Sequence, residues 1–276
     1  MTSPASPFNP AIPFSDLIRD LVGLVLPERC VVCAVGGEPL CRRCGTALNA
    51  KARLVRPVPV PPGLPPTWTI ASYEGAVRTA IVAHKERART PLAEPLGKAL
   101  ARALLKAVPV NGEAEAGEAK PTIGAAASVV AKPPVGAASV VGAAKPAVGE
   151  SVVVVPVASG RRAVRRRGHD PTRRMAAVAV REARAGGLRV VGADVLRQRR
   201  EVADQAGLTA SGRVANLAGA LEVVPGARLA GRRVVLVDDV ITTGASLAEA
   251  ARAVRRAGAE VAAAATVAAT PLRRGA

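Results

Sequence analysis

Short apolar runs rich in Val, Ile and Ala alternate along this chain with longer stretches in which apolar residues recur at helical spacing. The first pattern predicts strands and the second helices. Strands are expected over Thr67 to Tyr73, Ser151 to Val157, Leu188 to Leu196, Val234 to Val237 and Glu260 to Val267. Helices are expected over Gly75 to Arg89, Pro171 to Ala185 with Asp170 as its N-cap, and Leu247 to Ala257. Val234 to Val237 is apolar at every position, as in a parallel strand covered on both faces, and it is expected to end at Asp238 and Asp239. Strands separated by helices of this length form βαβ units, so the fold class is α/β with a mainly parallel twisted sheet flanked by helices.

Two regions fall outside that alternation. Ser15 can cap a short amphipathic helix carrying Leu17, Ile18, Leu21, Val22 and Val25, stopped by Pro27, and residues 45 to 66 read as basic, Pro-rich connectors. Residues 109 to 150 hold the imperfect repeat GAAASVVAKPPVG, GAASVVGAAKPAVG and read as a low-complexity insertion.

Composition narrows the functional classes. A chain of 276 residues with 49% hydrophobic content can bury a full core and suits one enzyme domain with appendages. The net charge of +18, carried mainly by arginine, points to anionic partners such as phosphate, pyrophosphate or nucleic acid, although coding bias toward Ala, Arg, Val and Gly produces the same excess. The aromatics Phe8, Phe14, Trp68 and Tyr73 are too few for a platform that stacks single-stranded bases, so nucleic-acid contact would be electrostatic and salt-sensitive. There is no basic segment followed by a long apolar core at the N-terminus, and no apolar run approaches ~18 residues, so a cytoplasmic location is expected.

The cysteines are Cys30, Cys33, Cys41 and Cys44, two C-x-x-C pairs separated by seven residues that include Gly36 and Gly37. That spacing suits one tetrahedral zinc site with four thiolate ligands, closed and therefore structural. Disulfides or a redox pair are the alternative.

The densest chemistry lies in Val234 to Ser246. Asp238 and Asp239 stand at a strand's carboxyl end, where open α/β sheets bind ligands and where carboxylates can accept hydrogen bonds from sugar hydroxyls. Thr242, Thr243, Gly244, Ala245 and Ser246 follow at the start of a helix, whose N–H groups and dipole favour an anion. A nucleotide-binding P-loop partner is excluded, because no Gly-Lys-Ser or Gly-Lys-Thr occurs, and no G-x-G-x-x-G opens a helix after a strand. Arg161, Arg162, Arg165, Arg166 and Arg167 follow another strand, where a loop could grip pyrophosphate; a solvated basic face or a nucleic-acid patch would look the same. Lys85, in His84-Lys85-Glu86-Arg87, either offsets a helix C-terminus or contacts substrate. Arg197 to Asn216 reads on its own as a polar loop entering a helix.

The thirteen residues Val234 to Ser246 resemble the signature of type I phosphoribosyltransferases for 5-phosphoribosyl 1-pyrophosphate (PRPP): four apolar residues, two acids, two apolar residues, then T-T-G-x-S. The wider chain resembles the ComF family, competence-associated phosphoribosyltransferases with an N-terminal zinc finger. The likeness runs through Pro27 and the cysteine pairs, Tyr73 to Gly75, the Lys85 region, Val155-Pro156-Val157, Arg167-Gly168, Gln205 to Leu208, and Arg213 to Leu217. The chain departs from that family at His169-Asp170-Pro171, where Phe or Tyr, Asn and Gln are common, at Glu86 in place of an aromatic, and at Val202 in place of Thr.

The resemblance implies an N-terminal segment at 1–27, a four-cysteine zinc finger at 28–50 and a type I phosphoribosyltransferase-like domain at 67–276 interrupted at 109–150. It implies transfer or hydrolysis at ribose C1 of PRPP or a related ribose 5-phosphate compound, with Mg²⁺-pyrophosphate as leaving group. Asp238 and Asp239 would be the catalytic acids on the ribose hydroxyls, Thr242, Thr243, Gly244, Ala245 and Ser246 would take the 5′-phosphate, and Lys85, Arg161, Arg162, Arg165, Arg166 and Arg167 the pyrophosphate. The implied cofactors are Mg²⁺ and structural Zn²⁺. The alternative is a DNA-uptake accessory protein that binds single-stranded DNA or a competence helicase, with a regulatory or vestigial PRPP site. The acceptor is not named by these residues.

Overall fold

The computed structural model describes residues 28–108, 151–200 and 210–271. The helix expected within Ser15 to Val25, the 109–150 insertion and Gln205 to Leu208 lie outside the described residues.

The main sheet contains β1 (Arg53–Val55), β2 (Thr67–Ser72), β3 (Val152–Pro156), β4 (Val190–Gly192), β7 (Arg233–Ile241) and β8 (Glu260–Ala269) in the order β1-β2-β8-β7-β3-β4. Every neighbouring pair is parallel except β1 with β2. A separate antiparallel ribbon pairs β5 (Leu196–Gln198) with β6 (Leu221–Val223).

Both faces of the sheet are covered, which is why its central strands are apolar throughout. Val235 and Val237 of β7 point into a core shared with α1 (Gly75–Glu86), α2 (Ala93–Ala107) and α4 (Pro171–Ala185). Val234 and Leu236 point the other way, against α6 (Ala245–Arg256) and the ribbon. All four side chains are fully buried, so each contributes on the order of 1.5–3 kcal/mol of transfer free energy. Helices α2 and α4 cross at Gly97, where an added Cβ would meet the Val178 Cβ at 2.4 Å. The usual helix-propensity gain of Ala over Gly, about 1 kcal/mol, cannot offset such an overlap, so glycine is what permits the close crossing.

Four sequence expectations are corrected. The strand expected over Leu188 to Leu196 is two strands in two sheets: Val190–Gly192 pairs with β3, and the chain then turns at Gly192-Ala193-Asp194 so that Leu196–Gln198 pairs with β6. The strand of Val234 to Val237 does not end at the acids but continues to Ile241, because Asp238 and Val240 keep their pairing to Thr266 and Ala268 of β8. Arg161–Arg167 is not a loop but a short helix, α3, closed by the left-handed Gly168, whose N–H donates to the Val164 carbonyl at 2.9 Å. The helix from Gly75 stops at Glu86 rather than Arg89. Three of these elements had no expectation at all, α2, β6 and β1, the last lying inside the Pro-rich connector. Helix α5 (Ala210–Leu217) completes the described elements between the ribbon strands.

The cysteine-bearing lobe docks on this body through α2. Cys30, Leu40 and Leu48 belong to the same buried cluster as Leu100 and Leu104, and Arg102 donates to the Leu48 carbonyl at 2.9 Å. No helix among the described residues is long and apolar enough to cross a membrane.

Candidate active site

The carboxyl end of β7 forms the floor of a cavity of about 550 Å³ whose walls come from α1, α3 and the loop after β3. Asp238 and Asp239 lie in it side by side. Asp239 is almost fully buried, and Lys85 from α1 donates to its Oδ2 at 2.6 Å. Its Oδ1 accepts from the Val240 N–H at 2.8 Å, while Asp238 Oδ1 accepts from the Asp239 N–H at 2.9 Å.

These contacts divide the two acids electrostatically. Burial raises both carboxyls. At Asp239 the Lys85 charge and hydrogen bond outweigh burial and hold the carboxyl below its ordinary value. At Asp238 the neighbouring Asp239 charge adds to burial, and the carboxyl sits well above its ordinary value. Lys85 is pushed up, first by Asp239. One floor carboxylate is therefore stabilised by a paired lysine beside another whose ionisation its neighbour disfavours, and both present oxygens to which vicinal hydroxyls can donate.

The phosphate-loop candidates occupy the next turn. Gly244 adopts φ 75°, ψ 1°, a left-handed conformation that β-branched residues rarely enter, and it is the N-cap of α6, with no side chain of its own to cap the helix and the Thr243 hydroxyl accepting from the Ala245 N–H at 3.5 Å. The first N–H groups of α6 thus lack an intrahelical partner, as an anion site requires. Thr242 and Ser246 line the cavity itself. An added Cβ at Gly244 would lie 3.1 Å from Leu64 and 3.3 Å from Pro57, so the connector packs directly on this turn.

Of the five arginines on α3, Arg167 is the one that lines the cavity. It is held there by Glu86, which accepts from Nη2 at 2.6 Å and from Nε at 3.1 Å. Glu86, one of the departures from the ComF pattern, therefore positions a guanidinium. Arg166 is exposed, 3.9 Å from Glu86. Arg161, Arg162 and Arg165 face a neighbouring groove with Gln198, Arg199 and Arg200. The structure thus brings together Lys85, Arg167, Asp238, Asp239, Thr242 and Ser246, and it sets the other arginines apart.

His169, the second departure, also has a structural role. Its Nε2 lies 3.1 Å from the His84 carbonyl and its Nδ1 3.2 Å from the Arg167 carbonyl, and the His84 ring stands 5.7 Å away, centroid to centroid. His84 in turn reaches the carbonyls of Arg89 and Pro171 at 3.2 and 3.3 Å. The pair clamps the end of α1 to the α3–α4 junction and so fixes Lys85 relative to Arg167. Asp170, the second residue of that departure, caps α4 as expected, accepting from the Arg173 N–H at 3.1 Å.

Sequence reading gave no role to Arg213 or Ser159. Arg213 Nη1 donates to Thr242 Oγ1 at 3.5 Å, and Ser159 lines the cavity while donating to Asp170 at 3.1 Å. In the sequence Arg213 stands as a basic position in a polar stretch and within the ComF likeness of Arg213 to Leu217, without a signal for its partner.

Away from this site, the sulfur atoms of Cys30, Cys33, Cys41 and Cys44 all lie within 4.8 Å of one another. A tetrahedral site with metal–sulfur bonds of ~2.3 Å requires sulfur–sulfur edges of roughly 3.8 Å, and Cys33 and Cys41 are 3.6 Å apart. Two knuckles set the cysteines: the Ala34 N–H donates to the Cys30 carbonyl and the Gly45 N–H to the Cys41 carbonyl, both at 2.9 Å. The clustered thiols share protons unequally: at Cys30 burial raises the thiol but hydrogen bonds from backbone groups of Cys33, Cys41 and Val32 outweigh it and leave it at about 6, whereas at Cys44 burial and the neighbouring thiols push it up to about 12. The four free thiols fit a single metal ion.

The sheet is mainly parallel and flanked by helices, and the two acids of β7 lead through the turn at Gly244 into α6. Residues 172–276 match the family of the phosphoribosyl transferase domain. Over 43 residues the chain is 54% identical to the orotate phosphoribosyltransferase of Nocardioides sp., covering 16% of this chain and 24% of that protein. Over 42 residues it is 60% identical to the adenine phosphoribosyltransferases of Mycobacterium avium and Mycolicibacterium paratuberculosis, covering 15% of this chain and 23% of each. The chain thus spans about a quarter of the length of these relatives.

Proposed function

We infer that this protein is a ComF-like phosphoribosyltransferase that binds PRPP, or a closely related ribose 5-phosphate compound, and breaks its C1–oxygen bond. The observation that supports this most is the continuity of Asp238, Asp239, Thr242, left-handed Gly244 and Ser246 along one strand, turn and helix, facing Lys85 and Arg167 across one cavity. In this reading the α6 N–H groups with Thr242, Thr243, Ala245 and Ser246 take the 5′-phosphate, and Gly244 lets the backbone approach it. Asp238 and Asp239 hold the ribose hydroxyls.

Pyrophosphate belongs beside Arg167 and Lys85. Its arrival gives Lys85 a second anion to serve, freeing Asp239 for the sugar. Arg161, Arg162, Arg165 and Arg166 then act through the field of α3 and not by contact, since three of them face the adjoining groove. The two floor acids and the diphosphate are hard oxygen donors that suit Mg²⁺, which when bound neutralises charge on the leaving group. Electrostatic stabilisation of an oxocarbenium-like centre supplies the catalysis, and the chain's part is to hold the sugar between fixed charges. In the same reading the domain runs over 67–276, the four-cysteine lobe at 28–50 holds structural zinc, and the protein works in the cytoplasm.

The experiment is release of pyrophosphate from PRPP and Mg²⁺ across a panel of nucleobases and amines, with water alone as the baseline. Release that requires an acceptor and falls by about 100-fold or more in Asp239→Asn is expected. No release with any acceptor or water would reject catalysis. A second reading, nucleic-acid binding by an uptake accessory protein, draws on the groove lined by Arg161, Arg162, Arg165, Arg199 and Arg200. Its mark would be single-stranded DNA binding at physiological salt that PRPP does not displace.

A further inference from the structure

A second cavity, of about 710 Å³, adjoins the first and shares Thr242 with it. Its floor is the carboxyl ends of three adjacent parallel strands: Ser72 of β2, Ala269 and Thr270 at the end of β8, and Ile241 of β7. Its roof is the connector from Arg53 to Val58. The two cavities therefore reach different neighbours of β7. The first extends toward β3 and Arg167, and the second toward β8 and β2.

The roof is fixed in place. Leu64 and Pro57 of the connector pack on Gly244, Arg255 of α6 donates to the Gly63 carbonyl at 2.6 Å, and β1 pairs with β2. This holds Arg56, next to Pro57, at the rim of the donor loop.

The lining has a definite chemistry. Leu54, Val55, Pro57, Val58, Ile241 and Ala269 give apolar walls, and Val58 is left 80% exposed and Leu54 38% exposed at its mouth. Ser72, Thr242 and Thr270 supply hydroxyls, and no acid is among the lining residues. Arg53 and Arg56 are exposed and have no carboxylate partner among the described residues. Several other arginines are matched by acids: Arg167 with Glu86, Arg173 with Asp194, Arg197 with Glu222 and Arg252 with Glu249. Two guanidiniums without acids over an apolar slot suit a flat molecule that carries an anionic group on its edge.

We propose that this cavity is the acceptor subsite, and that it takes a planar ring bearing a carboxylate, with Arg53 and Arg56 on the carboxylate and the ring between the connector and the strand ends. The role as acceptor subsite rests on the phosphoribosyl reading above. An acceptor here approaches C1 from the β8 side while the leaving group lies on the β3 side. The acceptor lone pair forms the new bond to C1, the C1–oxygen pair departs with pyrophosphate, and the acceptor's proton passes to solvent.

Benzoate, benzamide and phenyl phosphate, titrated by NMR into the full chain with and without saturating PRPP, test this. Benzoate should bind alongside PRPP, benzamide should bind at least about ten-fold more weakly, and Arg53→Gln/Arg56→Gln should weaken benzoate by about ten-fold or more. The double variant alters exposed side chains and should melt as the wild type does, and PRPP affinity measured on it should stay the same. Phenyl phosphate binding more tightly than benzoate would replace carboxylate by phosphate as the recognised group and overturn the stated class. Benzoate binding that ignores the two substitutions, or that PRPP displaces, would overturn the subsite. If benzoate requires the arginines while PRPP itself fails to bind, the anion pocket stands and the phosphoribosyl reading falls.

Discussion

Lys85→Met is expected to cost about 1–3 kcal/mol of stability at neutral pH, less than a fully buried pair because Lys85 is 36% exposed, and to cost more than Asp239→Asn. Among the described residues, Lys85 is the one cation paired with Asp239, which is 6% exposed, and Asp238 lies directly beside it. Removing the ammonium leaves two adjacent carboxyls with backbone N–H groups but no paired cation to offset their repulsion. Asp239→Asn is milder, because it removes one of the two acids, and Lys85, 36% exposed, can turn toward Asp238 or solvent.

The pH dependence separates the two variants. In the wild type the depressed Asp239 contributes stability that is present above its unfolded pKa of about 3.9 and is lost as pH falls through the lower folded value. The raised Lys85 contributes stability that is present below about 10.4 and is lost as pH rises through its folded value. Asp238, being raised, works in the opposite sense to Asp239, opposing folding above about 3.9 and regaining stability on protonation. Without Lys85 both acids behave like Asp238. As pH falls from neutral toward about 4, Lys85→Met should therefore gain more stability than the wild type, in which Asp238 alone is raised. Thermal melts across that range check this; a variant that melts like the wild type at every pH would show that the ion pair carries no weight.

Loss of the metal cluster is the second large effect expected. Zinc binding by small thiolate sites is worth on the order of 10–16 kcal/mol, and a lobe that contributes only Cys30, Leu40 and Leu48 to the buried core cannot hold its knuckles without it. Elemental analysis should give one zinc per chain, and Cys41→Ser or chelation should release it. The damage should not stay local. Leu48 packs in the cluster that α2 shares, Arg102 bonds its carbonyl, and Arg89 donates to the Arg29 carbonyl at 3.1 Å, so losing the lobe exposes α2 and lowers the melting temperature of the whole protein. A metal-free protein with the wild-type melting temperature would contradict this.

The sheet was legible where both its faces are buried. Val152 to Val155 and Val234 to Val237 are apolar at every position because helices cover both sides, and their shortness and β-branched content mark them as strands. Helix α4 was legible to the residue, since Asp170-Pro171 provides both a cap and a fixed first turn. Reading failed where tertiary pairing overrides local pattern. Asp238 and Asp239 look like a strand end because they are charged, yet β8 continues alongside and keeps them in the ladder. β1 is invisible in a Pro-rich segment because its three residues are held by pairing with β2 alone.

The site divides in the same way. Asp238 to Ser246 is contiguous in sequence, so its chemistry could be read as one motif. Lys85 and Asp239 are 154 positions apart, and nothing local marks them as partners. The arginine run showed charge but not direction. As a helix, α3 turns Arg167 toward the cavity and Arg161, Arg162 and Arg165 toward the groove beside it. Glu86 and His169 looked like losses against the ComF pattern, and the structure gives each a partner that orders the site.

Calorimetric titration of PRPP with Mg²⁺ into the zinc-loaded full chain tests the central claim most directly, because it asks whether the β7–α6 turn is a sugar-phosphate site without requiring the acceptor. Saturable binding at one site per chain that disappears in Gly244→Val, whose side chain would enter the contacts with Leu64 and Pro57 and force a left-handed β-branched residue, is the expected result. Absence of binding by the wild-type protein, or binding undiminished in a folded Gly244→Val variant, would contradict it.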